Sequence, residues 1–244
     1  MSGKTVTCAG VSKTFAAGDG SVEALGRIDL VLDPGTTTAI VGPSGCGKSS
    51  LLRIIAGLEA PSNGEIRIGG ERPEALAARG GLAMAFQDPA LLPWRTVRAN
   101  IALALKLARK PVAPAKVDTL IELVGLGGFG DHRPATLSGG MRQRAAIARC
   151  LITEPELLLL DEPFAAVDML TRKRLDTDLP PLWRAKGSTA ILVTHSVTEA
   201  SALADRILIM SDRPGRIIAD ISSIDRAKDG LIREIEGELS GAVA

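Results

Sequence analysis

The chain has no tyrosine, and its aromatic residues are four Phe and two Trp, so each is weighed for a stacking role rather than assigned to a core. Cysteine is scarce as well. Cys8, Cys46 and Cys150 form an odd set with no paired spacing, which argues against a disulfide framework and against a zinc site and fits a reducing cytoplasm. No hydrophobic run approaches the ~20 residues that cross a bilayer; the longest strand-like stretches are of the kind at Leu157–Leu160 and Ala190–Val193. Met1 to Gly10 carries one lysine and no continuous apolar stretch, so it does not read as a secretory signal. An excess of one charge is missing too. Lys and Arg number 29 against 28 Asp and Glu, and without a sustained basic stripe nucleic acid is not expected as a partner. The expectation is a soluble protein whose membrane role, if it has one, comes through a partner.

What is present is an ordinary globular composition, 45% hydrophobic and 23% charged over 244 residues, enough for one domain with an insertion. Val6 to Leu32, with the turn residues Gly18-Asp19-Gly20, predicts an antiparallel strand pair. Thr36 to Val41 predicts a strand ending at glycine, and Ser49 to Gly57 a helix. Strand signals return at Leu82 to Phe86, Leu157 to Leu160, Ala190 to Val193 and Ile207 to Met210. Between the first of these and the rest, Ile101 to Ala108 and Val117 to Val124 predict helices around the linker Pro111 to Pro114. The expected fold is α/β: a P-loop type core with a mostly parallel sheet, an antiparallel N-terminal portion and an inserted helical subdomain. Leu231, Ile235 and Leu239 share one face of a C-terminal packing helix.

Gly42-Pro43-Ser44-Gly45-Cys46-Gly47-Lys48-Ser49, followed by Ser50, satisfies the pattern G-x-x-x-x-G-K-[ST]. Glycines let backbone N–H groups turn inward around phosphates, and the next helix offers its positive end. Lys48 is then the β- and γ-phosphate contact and Ser49 a Mg²⁺ ligand. Alone the pattern says only that a nucleotide triphosphatase is possible; its place between a strand and a helix strengthens it. The run Leu157 to Leu160 ends in Asp161-Glu162, as a buried strand delivering carboxylates to a sheet edge would, with Asp161 toward Mg²⁺ and Glu162 toward the attacking water. Leu137-Ser138-Gly139-Gly140-Met141-Arg142-Gln143-Arg144 places a hydroxyl and two glycine N–H groups at a helix start, a second anion site.

This last segment resembles the signature of the ABC ATPases, and the order of the three motifs is theirs. The resemblance implies ATP and Mg²⁺ as ligands and a head-to-tail dimer, homomeric or with a second ABC ATPase, in which the signature of one copy completes the pocket of the other. It implies that Gln87 senses Mg²⁺ and the water, that His195 contacts the γ-phosphate, and that Asp168, in Ala165-Ala166-Val167-Asp168, bridges the two sites. Phe15 stands where the family stacks an aromatic on adenine; core packing is the alternative. Ser196 stands where the family most often has Asp, which leaves open how that turn is pinned. His132 is assigned to a loop.

Phe86-Gln87-Asp88-Pro89-Ala90-Leu91-Leu92-Pro93-Trp94 with Thr96-Val97 and Asn100 looks like the importers of nitrate, alkanesulfonates and taurine, and Leu182-Trp183 and Arg213 to Ile217 agree. Leu91, Leu92 and Trp94 are expected as an exposed apolar knob, in the region where the family receives the coupling helix of the permease; Trp94 tucked into the helical subdomain is the alternative. The resemblance implies a cytoplasmic-face location, peripheral through the permease, with an extracytoplasmic substrate-binding protein as indirect partner. The division expected is a nucleotide-binding core at 1–88 and 155–225, a helical signature subdomain at 89–154 and a packing helix at 226–244, with no further regulatory domain. A thiamine precursor as cargo and a non-transport ABC ATPase are the alternatives within the family. A P-loop kinase or switch GTPase would have no use for residues 137–144.

Overall fold

The computed structural model describes residues 3–18, 20–224 and 227–241. Asp19 of the expected turn, residues 1–2 of the N-terminal stretch, and residues 225–226 and 242–244 of the last expected segments lie outside the described residues.

β1 (Val6–Ala17) and β2 (Gly20–Leu32) form the antiparallel pair. β4 (Asn63–Ile68) joins the other edge of β1, also antiparallel, giving a three-stranded sheet in the order β2-β1-β4. Its signal is a short alternation: Ile66 and Ile68 are buried while Glu65 is exposed and pairs with Arg67.

The second sheet has six strands. β3 (Thr37–Val41), β5 (Leu82–Ala85), β6 (Leu157–Asp161), β7 (Thr189–Thr194) and β8 (Arg206–Met210) run parallel, and β9 (Ile217–Ser222) closes one edge antiparallel to β8; the order is β5-β6-β7-β3-β8-β9. β3, β6 and β7 are buried along their whole length, which is why they read as continuous apolar runs rather than alternating ones. Successive residues still serve opposite faces. Leu158, Leu160, Ala190 and Leu192 enter one hydrophobic core; Leu157, Leu159, Ile191 and Val193 enter the other.

On the second of these faces, α1 (Lys48–Ile55) packs between the two sheets through Leu51, Leu52, Ile54 and Ile55. The first face is covered by α3 (Val97–Leu107), α4 (Pro114–Leu123), α5 (Gly139–Leu151), α8 (Val197–Leu203) and α9 (Lys228–Gly241). Leu231 and Ile235 of α9 are buried there and Leu239 packs beside them. α6 (Met169–Asp178) and α7 (Pro180–Arg184) lead into β7, where Trp183 is buried and donates from Nε1 to Thr37 Oγ1 at 3.1 Å. Trp183 is therefore a core residue.

The helices begin earlier than the apolar spacing predicts. α3 starts at Val97 because Thr96 Oγ1 caps it, accepting from Ala99 N at 3.2 Å. Pro114 belongs to the first turn of α4, where its missing N–H costs nothing. α2 (Pro73–Ala78), β4 and β9 are elements the sequence reading did not anticipate.

Candidate functional site

The carboxyl ends of β3, β6 and β7 meet at one edge of the parallel sheet, where a ligand crevice is expected in such folds. The glycine loop leaves β3 at Gly42. Gly47 has φ +107°, and a Cβ there would lie 2.5 Å from Leu25 Cδ2, so both backbone and space demand glycine. Lys48 is buried, and its ammonium donates to Gly42 O (2.8 Å) and Pro43 O (2.7 Å), with Cys46 Sγ at 3.8 Å. The loop thus holds its own cation at its centre.

A cavity of about 550 Å³ opens in front of it, lined by Ser44, Gly45, Gly47, Lys48, Ser49 and Ser50 from the loop and by Phe15, Val22, Gln87 and Glu162 around the rim. Gly42, Pro43 and Cys46 do not face it. Cys46 is buried, which makes it a packing residue beneath the loop. Phe15 is 38% exposed on the cavity wall, not in a core, and Lys13 Nζ lies 4.8 Å from its ring centroid.

Ser49 Oγ donates to Asp161 Oδ1 at 2.8 Å. Asp161 is 1% exposed, and burial raises its pKa against the opposing hydrogen bond from Ser49. Glu162 sits at φ +45°, a left-handed conformation that costs a non-glycine residue about 1–3 kcal/mol. Its N–H donates to Val193 O at 2.8 Å. That kink turns its carboxylate toward the cavity, where Oε2 accepts from Gln87 Nε2 at 3.3 Å and Oε1 lies 3.6 Å from His195 Nδ1. Ser49, Gln87, Asp161, Glu162 and His195, scattered over the sequence, share one edge.

Ser49 Oγ, the Asp161 carboxylate and the Gln87 amide form a hard oxygen donor set suited to Mg²⁺. Among the described residues no cluster of three or more His, Cys, Asp or Glu side chains holds a metal by itself.

Ser138 and Gly139–Met141 are absent from this cavity's wall. Ser138 caps α5, accepting at Oγ from Met141 N (3.2 Å). The turn packs on the 165–168 loop: a Cβ on Gly140 would lie 2.7 Å from Ala166 O. Asp168 caps α6, accepting from Thr171 N at 3.0 Å, and those hydrogen bonds hold its carboxyl below the usual range. Leu137 is 5% exposed in the core, so its side chain seats the turn. One expectation, the exposed knob at Leu91, Leu92 and Trp94, needs correction. Leu91 and Leu92 are half-buried, Leu91 against the core, so the exposed knob is reduced to Pro93 and Trp94, the latter 67% exposed. Buried Asn100 clamps this loop through Leu92 N, Leu92 O, Arg95 O and Thr96 O. Beside it runs an apolar groove of about 390 Å³ that includes Ala83, Leu92, Leu103, Ala104 and Leu107.

Sequence reasoning missed Arg213, whose Nη2 donates to Gly45 O at 2.8 Å on the rim of the cavity. It also missed Gly215, which lies so close to Cys46 O that a Cβ would stand 2.0 Å from it. The segment 213–217 was visible only as a family likeness.

The family model described as ABC transporter matches residues 25–165. The chain is 47% identical over 213 residues to the aliphatic sulfonates import ATP-binding protein SsuB of Bacillus cereus (strain ATCC 10987 / NRS 248), covering 87% of this chain and 84% of that one. It is 43% identical over 220 residues to the taurine import ATP-binding protein TauB of Ruegeria pomeroyi, covering 89% and 81%. Among solved structures, the dimeric post-hydrolysis state of the ATP-binding cassette MJ0796 bound to ADP and Pi superposes with a TM-score of 0.83 at 29% identity, over 91% of this chain and 99% of that one.

Proposed function

The chain belongs to the ABC transporter family of ATPases, and from that premise we propose that it energises uptake of a small anion, an alkanesulfonate or taurine ahead of nitrate, through a separate membrane permease. The observation that carries the catalytic reading is the approach of Gln87 and His195 to the two carboxylate oxygens of Glu162, beside the Ser49–Asp161 pair. The cargo reading leans on the relatives, whose names give aliphatic sulfonates and taurine as their substrates.

In this reading Lys48 exchanges the carbonyls of Gly42 and Pro43 for the β- and γ-phosphates of ATP, an attraction of about 4 kcal/mol per phosphate charge at 4 Å and an effective dielectric near 20. Phe15 carries the adenine. Mg²⁺, held by Ser49, Gln87 and Asp161, would neutralise phosphate charge. Glu162 aligns the attacking water and accepts its proton; Gln87 and His195 fix the carboxylate, and His195 reaches the γ-phosphate.

Ser138 and the N–H groups of Gly139 and Gly140 face away from the chain's own cavity and serve a second copy, beside its Asp168 loop. Two ATP then close the dimer, and closure drives the permease. Moving such an equilibrium from 1:99 to 99:1 takes about 5.5 kcal/mol of differential binding, within reach of two such anion sites. Trp94 and the groove at Ala83, Leu92 and Ala104 receive the permease, so 89–154 acts as the helical subdomain between core segments 1–88 and 155–225, with 226–244 packing behind. No described helix is long and apolar enough to cross a membrane; attachment to the cytoplasmic face runs, in this reading, through the permease.

Glu162→Gln is expected to keep ATP binding, lose turnover and accumulate as an ATP-bound dimer, read by size-exclusion chromatography with ATP. Hydrolysis at the wild-type rate would remove Glu162 from its role. For the cargo, the receptor that co-purifies with the permease is titrated calorimetrically with taurine, an alkanesulfonate and nitrate; binding of none of them overturns that part.

A further inference from the structure

Behind the catalytic edge, Thr194, Ser196 and Glu199 close a ring of hydrogen bonds around the turn that presents His195. Ser196 N donates to Thr194 Oγ1 (3.0 Å), Thr194 Oγ1 donates to Glu199 Oε2 (2.8 Å), and Glu199 N donates to Ser196 Oγ (3.2 Å). A hydroxyl has one proton, and Thr194 spends it on Glu199, so Oε2 is an acceptor. This ring is what pins the turn with Ser at position 196.

The other oxygen, Glu199 Oε1, is buried and has no hydrogen-bond partner among the described residues, and the same holds for Asp176 Oδ1 and Arg172 Nε on α6. Arg172 also grips the neighbouring loop, donating from Nη2 to Phe164 O and Val167 O, both at 2.9 Å. Glu199 is 4% exposed. Burial pushes its pKa up to about 7; the Thr194 hydrogen bond and Arg172 oppose this, while Asp176 and Glu162 add to it. Asp176 is itself raised by burial against Arg172 and Lys228.

We propose that Glu199 is a positioning residue that works as an uncharged acid, holding the His195 turn through Thr194 with one oxygen while the other, buried and with no hydrogen-bond partner among the described residues, keeps its proton. The proposal rests on the catalytic reading of His195 and Glu162. A neutral acid offers one acceptor and one donor. Gln offers the same pair, Ala neither, and an ionised carboxylate no donor.

The test is steady-state ATPase kinetics of the full chain with Mg-ATP between pH 6.5 and 8.5. Glu199→Gln is expected to rescue the turnover that Glu199→Ala loses, and its kcat relative to wild type should climb severalfold as pH rises through about 7. Thr194→Val, close in volume, should lower kcat about tenfold while KM for ATP stays within about threefold, because no nucleotide contact is removed. A ratio independent of pH, a Gln variant as impaired as Ala, or an unaffected Thr194→Val overturns the proposal. His195→Ala, run alongside, separates the two readings. Wild-type turnover there removes the catalytic assignment and the proposal with it; an inactive His195→Ala beside a Gln variant that fails to rescue leaves the catalytic assignment standing and overturns the neutral acid alone.

Discussion

Glu199→Gln also has a consequence for folding that needs no nucleotide. In the unfolded chain the carboxyl titrates near its ordinary value of 4.5, whereas burial holds it at about 7 in the fold. From about pH 4.5 to pH 7 the folded state therefore keeps a proton that the unfolded state has released. Stability from this group is fully present below the unfolded value, falls as pH rises through the window, and is level above it. At 1.36 kcal/mol per pH unit the whole loss is about 3 kcal/mol, most of which falls between pH 5 and pH 8. Gln does not titrate. Urea denaturation of both proteins at pH 5 and pH 8 should show the Gln variant gaining roughly 2 to 3 kcal/mol on wild type at the higher pH, read from the midpoints at unchanged slope. A difference between the two proteins that is the same at both pH values refutes the reasoning.

Phe15→Ala should weaken ATP binding about five- to 150-fold, the range set by about 1–3 kcal/mol for stacking a base on an aromatic ring, and Phe15→Tyr should restore it; nucleotide fluorescence titration measures both. Trp94→Ala should cut the fraction of chain retained by the permease in co-purification by about tenfold, as expected for a buried aromatic anchor worth over 1 kcal/mol. Gly215→Ala would place a Cβ 2.0 Å from Cys46 O, a backbone atom, so the phosphate loop must shift. Lower thermal stability and weaker ATP binding are expected together, by thermal melts with and without ATP.

The parallel sheet was legible because strands buried on both faces leave continuous runs such as Leu157–Leu160, and the glycine loop because Gly47 has no substitute where Leu25 packs. β4 and β9 escaped because short strands at a sheet edge carry half an alternation among charged residues such as Glu65, Arg67 and Asp220. Leu91, Leu92 and Leu137 are apolar in sequence just as Trp94 is. Only packing decides that Leu137 is covered, Leu91 and Leu92 half-covered and Trp94 left open. The Glu199 ring was invisible for a different reason. Its members are ordinary residues whose chemistry comes from burial and from α6, which the order of the chain does not reveal.

α5 links the features that the proposed cycle must coordinate. Its first turn packs against Ala166, beside the Asp168 loop. One turn on, buried Gln143 donates from Nε2 to Phe86 O at 3.2 Å, directly before Gln87. Farther along, Arg149 donates to Pro89 O (2.9 Å) and Ala90 O (2.7 Å), the segment that leads to Trp94. A helix is stiff over this length, so the three attachments cannot move independently. In the proposed cycle a force on Trp94 would reach Gln87 and the proposed anion site at Ser138 through the same rod. The proposed permease contact, the residue facing Glu162 and the surface proposed to meet a second copy are therefore expected to shift as one body, which is the mechanical requirement for coupling hydrolysis to transport.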